Sequence, residues 1–80
     1  MFDTFLYNDI MDMNFSKNNI AELRKSKNLT QRQLAQAIGT SQANLSRWEQ
    51  GVITPSVIEC WKIAEFFDVS IDVVCGRREY

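Results

Sequence analysis

Apolar side chains recur at helical spacing along most of this chain, in short bouts broken by polar capping residues and glycine. Ile20 and Leu23, extended by the stem of Lys27, give one apolar edge to a first helix of about 18–27. Asn19 is its capping residue, with Glu22 three positions on. Thr30-Gln31-Arg32-Gln33 reads as a capping box, and Leu34, Ala35 and Ile38 supply the buried face of a second helix, 30–38, that Gly39 stops. Thr40 or Ser41 caps a third, 41–50, which turns Leu45 and Trp48 inward and ends at Gly51. Just after Pro55, the box Ser56-Val57-Ile58-Glu59 opens a fourth helix, 56–67, whose stripe is Cys60, Ile63, Ala64 and Phe67. Ser70 caps a short fifth, 70–75, closed by Gly76. Neither sustained alternation nor an Asn-Gly or Asp-Gly hairpin is present, so the pattern predicts an all-α, compact five-helix domain over 17–80.

Two sets of apolar positions exceed what that core needs. Ile58, Trp61 and Phe66 fall off the buried stripe of the fourth helix, and Val73 adds to them on the fifth. Separately, an acidic, aromatic-rich arm at 1–16 carries Phe2, Leu6, Ile10 and Met13 at helical spacing. Leaving both surfaces in water is an aggregation liability. The expectation is that the arm forms an extra helix covering the fourth, on its own subunit or a partner's, with Trp61 as anchor. The opposing reading is a disordered arm ahead of a domain that could begin at Met13.

Composition narrows the class. Eighty residues make one domain, and 45% hydrophobic with 24% charged residues is ordinary for a globular fold. No apolar run approaches the roughly 20 residues that cross a bilayer. The acidic start is the reverse of a signal peptide, so a cytoplasmic chain without membrane association is expected. Two cysteines, Cys60 and Cys75, read as too few and too far apart for a metal site or a disulfide framework, and with no histidine the imidazole zinc sites are excluded. Neither a metal nor a cofactor is implied. No nucleophile is paired with a base and no glycine-rich phosphate loop occurs, while Asp68 and Asp72 look like capping and surface charge. An enzyme is therefore not expected.

The net charge of −1 hides a pattern. Residues 17–47 hold Lys17, Arg24, Lys25, Lys27, Arg32 and Arg47 against Glu22 alone, while the two ends are acidic. The positive stretch coincides with the second and third helices, where an attraction for phosphate would be useful. Gly39-Thr40-Ser41 between those helices is the short, glycine-containing turn of a helix-turn-helix. With Leu45 and Trp48 inward, the third helix presents Gln42, Ala43, Asn44, Ser46 and Arg47 outward. Gln and Asn can pair with adenine, Arg can pair with guanine or hold a phosphate, and an Ala methyl can touch a thymine methyl. Gln31, Arg32 and the amides around Thr40 and Ser41 suit phosphate oxygens at the positive ends of helices. A polar helix face is usually only solvated; it is the register inside this two-helix unit that gives it a ligand.

Residues 18–76 resemble the lambda-repressor-like, Xre/Cro-type helix-turn-helix domain. The strings that carry the resemblance are Leu23-Arg24, Leu29-Thr30-Gln31-Arg32-Gln33-Leu34-Ala35, Gly39-Thr40-Ser41-Gln42, Leu45-Ser46-Arg47-Trp48-Glu49-Gln50-Gly51, Pro55-Ser56, and the run from Ile63 to Ser70. The resemblance implies sequence-specific binding of double-stranded DNA with the third helix in the major groove, as a homodimer on a palindromic operator. It implies base contacts by Gln42, Ala43, Asn44 and Arg47, a phosphate or outer-base contact by Gln31, and a structural ion pair between Arg24 and Glu49. Ala43 departs from the polar residue often found there, so one base position would be read through a methyl contact.

The function expected is a small regulator of bacterial or phage type, a repressor, with dimerisation through the fourth helix, the fifth or the arm. No separate effector or dimerisation domain is expected within 80 residues. Two other functions suit the same residues. An antitoxin would keep DNA binding and give its surplus apolar surface to a toxin. A protein-interaction module would have lost DNA binding altogether.

Overall fold

The computed structural model describes residues 18–76, which form five helices with no strand among them. They are α1 (Ile20–Ser26), α2 (Gln31–Ile38), α3 (Gln42–Gln50), α4 (Val57–Phe67) and α5 (Ile71–Cys75). The expectations placed on the arm, including Phe2, Leu6 and Ile10, and on Lys17, lie outside the described residues.

Local chemistry accounts for most of the helix starts. At α2 the Thr30 hydroxyl accepts from the Gln33 amide at 3.0 Å, and the Gln33 side chain accepts from the Thr30 amide at 2.8 Å. Ser56 and Glu59 close the same reciprocal box on α4, at 3.1 and 2.7 Å. Single hydroxyl caps from Ser41 and Ser70 open α3 and α5.

The first helix departs from its expected start. Asn19 makes no side-chain capping bond. Its amide side chain instead donates to the Val73 carbonyl at 2.7 Å, and its backbone amide donates to Val74 at 3.2 Å. Asn18 does the local work: its Oδ1 accepts from the Ile20 amide at 3.0 Å, while its Nδ2 donates to the Trp48 carbonyl at 2.9 Å. The start of α1 is thereby tied to α3 and α5 together.

Four turns share one geometry. After α2, Thr40 donates to the Ala35 carbonyl at 2.9 Å and Gly39, at φ +78°, donates to Gln36 at 3.4 Å. This pair of bonds is the Schellman motif, and it needs a left-handed residue at the turn. Gly51 fills that place after α3. Asn28 and Asp68, both at φ +57°, fill it after α1 and α4, where sequence gave no glycine signal.

Twelve buried side chains make one core: Ile20, Leu23, Leu34, Ala35, Ile38, Leu45, Trp48, Cys60, Ile63, Ala64, Phe67 and Val74. Leu29, Val69 and Val73 pack against it. Lys27 is exposed, so the apolar edge of α1 is completed by Leu29 rather than by the lysine stem. Val73, expected on a spare apolar surface, is half-buried against the core, and its backbone carbonyl accepts from the Asn19 side chain. The α4–α5 reversal at Asp68 also overturns the reading of the cysteines as distant: Sγ of Cys75 lies 3.8 Å from Sγ of Cys60.

Candidate nucleic-acid interface

The helices α2 and α3, with the turn Gly39–Ser41 between them, form a helix-turn-helix. Leu34, Ala35 and Ile38 of α2 and Leu45 and Trp48 of α3 are buried, which fixes the side of α3 that must face outward. Gln42, Ala43, Arg47 and Gln50 are exposed, and Asn44 and Ser46 are half-buried. The side chain of Asn44 donates to the Thr40 hydroxyl at 3.4 Å, so this residue flanks the outward face rather than standing at its centre. Gln50, seven positions beyond Ala43, was not expected on the face; its amide donates to the Ser46 hydroxyl at 2.9 Å. Helical spacing carries the signal, since Gln50 falls two turns beyond Ala43 on the side away from Leu45 and Trp48.

The helix starts supply a second kind of donor. The cap hydroxyls of Thr30 and Ser41 take the third amide of each helix. The amides of Gln31 and Arg32 in α2, and of Gln42 and Ala43 in α3, belong to the first-turn set that has no intrahelical acceptor. Both starts carry the positive end of a helix dipole, which favours anions. Arg32, Lys25, Lys27 and Arg47 are exposed.

Arg24 does not belong to that free positive set. Its Nε meets Glu49 Oε2 at 2.6 Å and its Nη2 meets Oε1 at 3.0 Å, while Nη1 donates to the Leu29 carbonyl at 2.9 Å. The side chains are 13% and 6% exposed. The hydrogen bond to Glu49 raises the affinity of the guanidinium for its proton, against the opposite pull of burial. Gln31 joins the pair by donating from Nε2 to Glu49 Oε1 at 3.0 Å. One N–H and the carbonyl of that amide are left for a further partner. Glu49 therefore links α1, the first turn of α2 and the end of α3.

Further exposed apolar side chains lie on α4. Val57, Ile58, Trp61 and Phe66 are 77%, 65%, 52% and 43% exposed. The Phe66 ring is set edge-on to buried Phe67, with centroids 5.0 Å apart. Val52 and Ile53 in the α3–α4 loop and Ile71 on α5 are exposed as well; none of these three, nor Val57, stood out from spacing alone. Among the described residues no group of acidic side chains and cysteines is arranged to hold a metal ion, and no helix is long and apolar enough to cross a membrane.

Comparison with known proteins agrees with this geometry. A helix-turn-helix family model matches residues 20–74. The chain is 39% identical over 61 residues to the cryptic phage CTXphi transcriptional repressor RstR of Vibrio cholerae, covering 76% of this chain and 54% of that protein. It is 38% identical over 60 residues to the HTH-type transcriptional activator BcrR of Enterococcus faecalis, covering 75% of this chain and 29% of that one. An uncharacterized HTH-type transcriptional regulator of Methanocaldococcus jannaschii is 39% identical over 56 residues, 70% of this chain and 85% of its own length. The chain thus spans about half of the Vibrio protein and less than a third of the Enterococcus one. No solved structure gives a significant match. With the family pattern running from the first turn of α1 to the last of α5, the chain belongs to the helix-turn-helix family of the lambda-repressor-like type.

Proposed function

We propose that this protein is a sequence-specific regulator of transcription that binds double-stranded DNA, a cytoplasmic repressor acting as a homodimer on a palindromic operator. The observation that carries the reading is the outward face of α3. Its exposed Gln42, Ala43 and Arg47 stand on a helix whose opposite side is locked into the core. Gln42 and Arg47 can each make paired hydrogen bonds to a purine edge in the major groove, and Ala43 suits a thymine methyl. Asn44 and Gln50 read from the flanks, and Ser46 contributes through a bridging contact. Gln31, Arg32 and the amides at Thr40 and Ser41 position the domain on phosphates. The relatives named as transcriptional regulators support this class, and none of their names denotes an enzyme.

In the dimer, exposed apolar side chains of α4 among Ile58, Trp61 and Phe66 lie between two copies, with the two α3 helices about 34 Å apart to match one turn of DNA. A second reading, an antitoxin that offers this face to a toxin, rests on the same exposed residues.

Selection of bound sequences from a random DNA pool tests the proposal. A palindrome with half-sites about one helical turn apart is expected. On that site, Arg47→Ala and Gln42→Ala each weaken binding by about 1–3 kcal/mol while the fold is kept. Affinity falls steeply with salt as counterions are released. Failure to enrich any sequence at low salt would overturn the DNA-binding reading. Enrichment of a single half-site by a monomer that co-purifies with another protein would favour the antitoxin.

A further inference from the structure

The two cysteines of the chain take no part in the surface described above. Cys60 is buried on the core side of α4, and Cys75 is exposed at the last residue of α5. Their sulfurs are 3.8 Å apart. A disulfide needs about 2 Å, so bond formation requires a closure of just under 2 Å. Cys75 sits at the end of a five-residue helix, just before Gly76, where a side-chain rotation and a small shift of the helix end can supply it.

We propose that Cys60 and Cys75 form a redox-responsive pair that a hydroperoxide closes to an intramolecular disulfide, fastening α5 onto α4. The exposed sulfur reacts first. The Cys75 thiolate attacks one peroxide oxygen, the O–O bond breaks, and the departing hydroxide takes a proton to become water. Cys75 is left as a sulfenic acid. The Cys60 sulfur then attacks the Cys75 sulfur and the S–O bond breaks. Hydroxide leaves with the Cys60 proton as a second water. Two thiols have lost two hydrogens, and one hydrogen peroxide has become two waters.

This order of events fits the environment of each sulfur. Burial, with a smaller electrostatic contribution from Cys75, pushes the Cys60 thiol up to about 12, which keeps it protonated and passive in the resting protein. Cys75, exposed at the end of α5, is the sulfur that a peroxide can reach.

The consequence is mechanical. A helix of five residues does not hold its shape alone, yet the carbonyls of Val73 and Val74 receive Asn19 at 2.7 and 3.2 Å, where α1 begins. Fastening α5 to α4 keeps that seat in place. The bond lies outside α2, the turn and α3, so it stabilises the domain without touching the face that reads DNA.

Full-length protein treated with a few equivalents of hydrogen peroxide provides the test. The expected product is a monomer lighter by about 2 Da, with a Cys60–Cys75 cross-linked peptide, reversed by dithiothreitol. Closing this short loop is expected to raise Tm by roughly 12–24 °C. Cys75→Ser, a change at an exposed position, should abolish both the mass loss and the rise. Stepwise gains of oxygen without the loss of two hydrogens would overturn the proposal, as would disulfide-linked dimers. A cross-linked monomer with unchanged or lower Tm would overturn it too, since the bond would then not fasten α5.

Discussion

Replacing Glu49 by Gln removes one negative charge from a site that three other residues share. Arg24 would lose the charge of its partner, one of the two oxygens that accept its 2.6 and 3.0 Å bonds would become an NH2 donor, and the Leu29 carbonyl would remain. Gln31 would face an amide in place of a carboxylate. Each hydrogen bond to a charged group contributes about 1.5–3 kcal/mol. Those values do not add, because the three bonds share one acceptor group. Breaking a buried pair by removing one partner costs about 3–5 kcal/mol, since the remaining charge is stranded. Arg24 retains 13% exposure and can reach some water, which puts the expectation at the low end, about 3 kcal/mol.

For a domain of this size that loss corresponds to a fall in Tm of roughly 12–24 °C, a large share of a total stability of about 4–12 kcal/mol. Urea or guanidinium denaturation of the wild type, Glu49→Leu, Arg24→Met and the double variant Arg24→Met/Glu49→Leu measures the coupling as a cycle, with Glu49→Gln measured alongside. The double variant should recover to within about 1 kcal/mol of wild type, because an apolar pair of similar volume carries no stranded charge. A single-variant cost below about 1 kcal/mol, the value of an exposed surface pair, would refute the argument. So would a double variant as unstable as the two singles combined.

Gly39→Ala should cost about 1–2 kcal/mol, all of it backbone, since φ is +78° and an added Cβ would meet nothing within 4 Å. A loss above about 3 kcal/mol in denaturant titration would mean that packing, not conformation, makes glycine necessary. Cys60 predicts a pH dependence under reducing conditions. Its folded pKa is raised to about 12 by burial, Cys75 and Glu59, above the unfolded value near 9. The stability it contributes is therefore complete below pH 9 and declines as pH rises from 9 toward 12, by at most about 1.4 kcal/mol per unit. Comparing wild type with Cys60→Ala at pH 8 and pH 10 isolates this slope, and equal slopes would contradict it. On the proposed dimer, Trp61→Glu should shift sedimentation toward the monomer and leave Tm within a few degrees at low concentration; an unchanged sedimentation profile would remove α4 from the interface.

What the sequence makes legible here is what short-range chemistry decides. Thr30 with Gln33 and Ser56 with Glu59 complete their boxes within three residues, so each could be read without knowing the rest of the fold. The Gly39 turn and the buried stripe of α4 are local in the same sense. Asn19 misled because its amide found a carbonyl 54 positions away, and a capping pattern cannot reveal that competitor. The cysteines misled for the converse reason. Fifteen positions apart, they meet only because Asp68 takes a left-handed turn that glycine usually marks. At the candidate interface, helical spacing separated the outward face of α3 from Leu45 and Trp48. It could not show that Asn44 leans on Thr40, that Gln50 joins the face, or that Gln31 is held by Glu49, since those depend on how α3 sits against its neighbours.

That seating explains how so short a helix can present a fixed surface. Helices below about 12–15 residues are marginal in water, and α3 has nine, with two buried side chains to hold it. Its remaining order comes from both ends. At the start, the Schellman turn at Gly39 and the Ser41 hydroxyl fix the entry angle. At the far end, Asn18 holds the Trp48 carbonyl while Arg24 and Gln31 hold Glu49. Arg47 and Gln50 project from that same last turn, so their positions are set by Asn18, Arg24 and Gln31, which lie outside α3. A variant such as Glu49→Gln should therefore affect the proposed DNA recognition even at temperatures where it remains folded. Its affinity for the selected operator should fall further than its affinity for random DNA, because misplacing Arg47 harms base contacts more than phosphate attraction. Equal losses on both DNAs would show that the clamp serves stability alone.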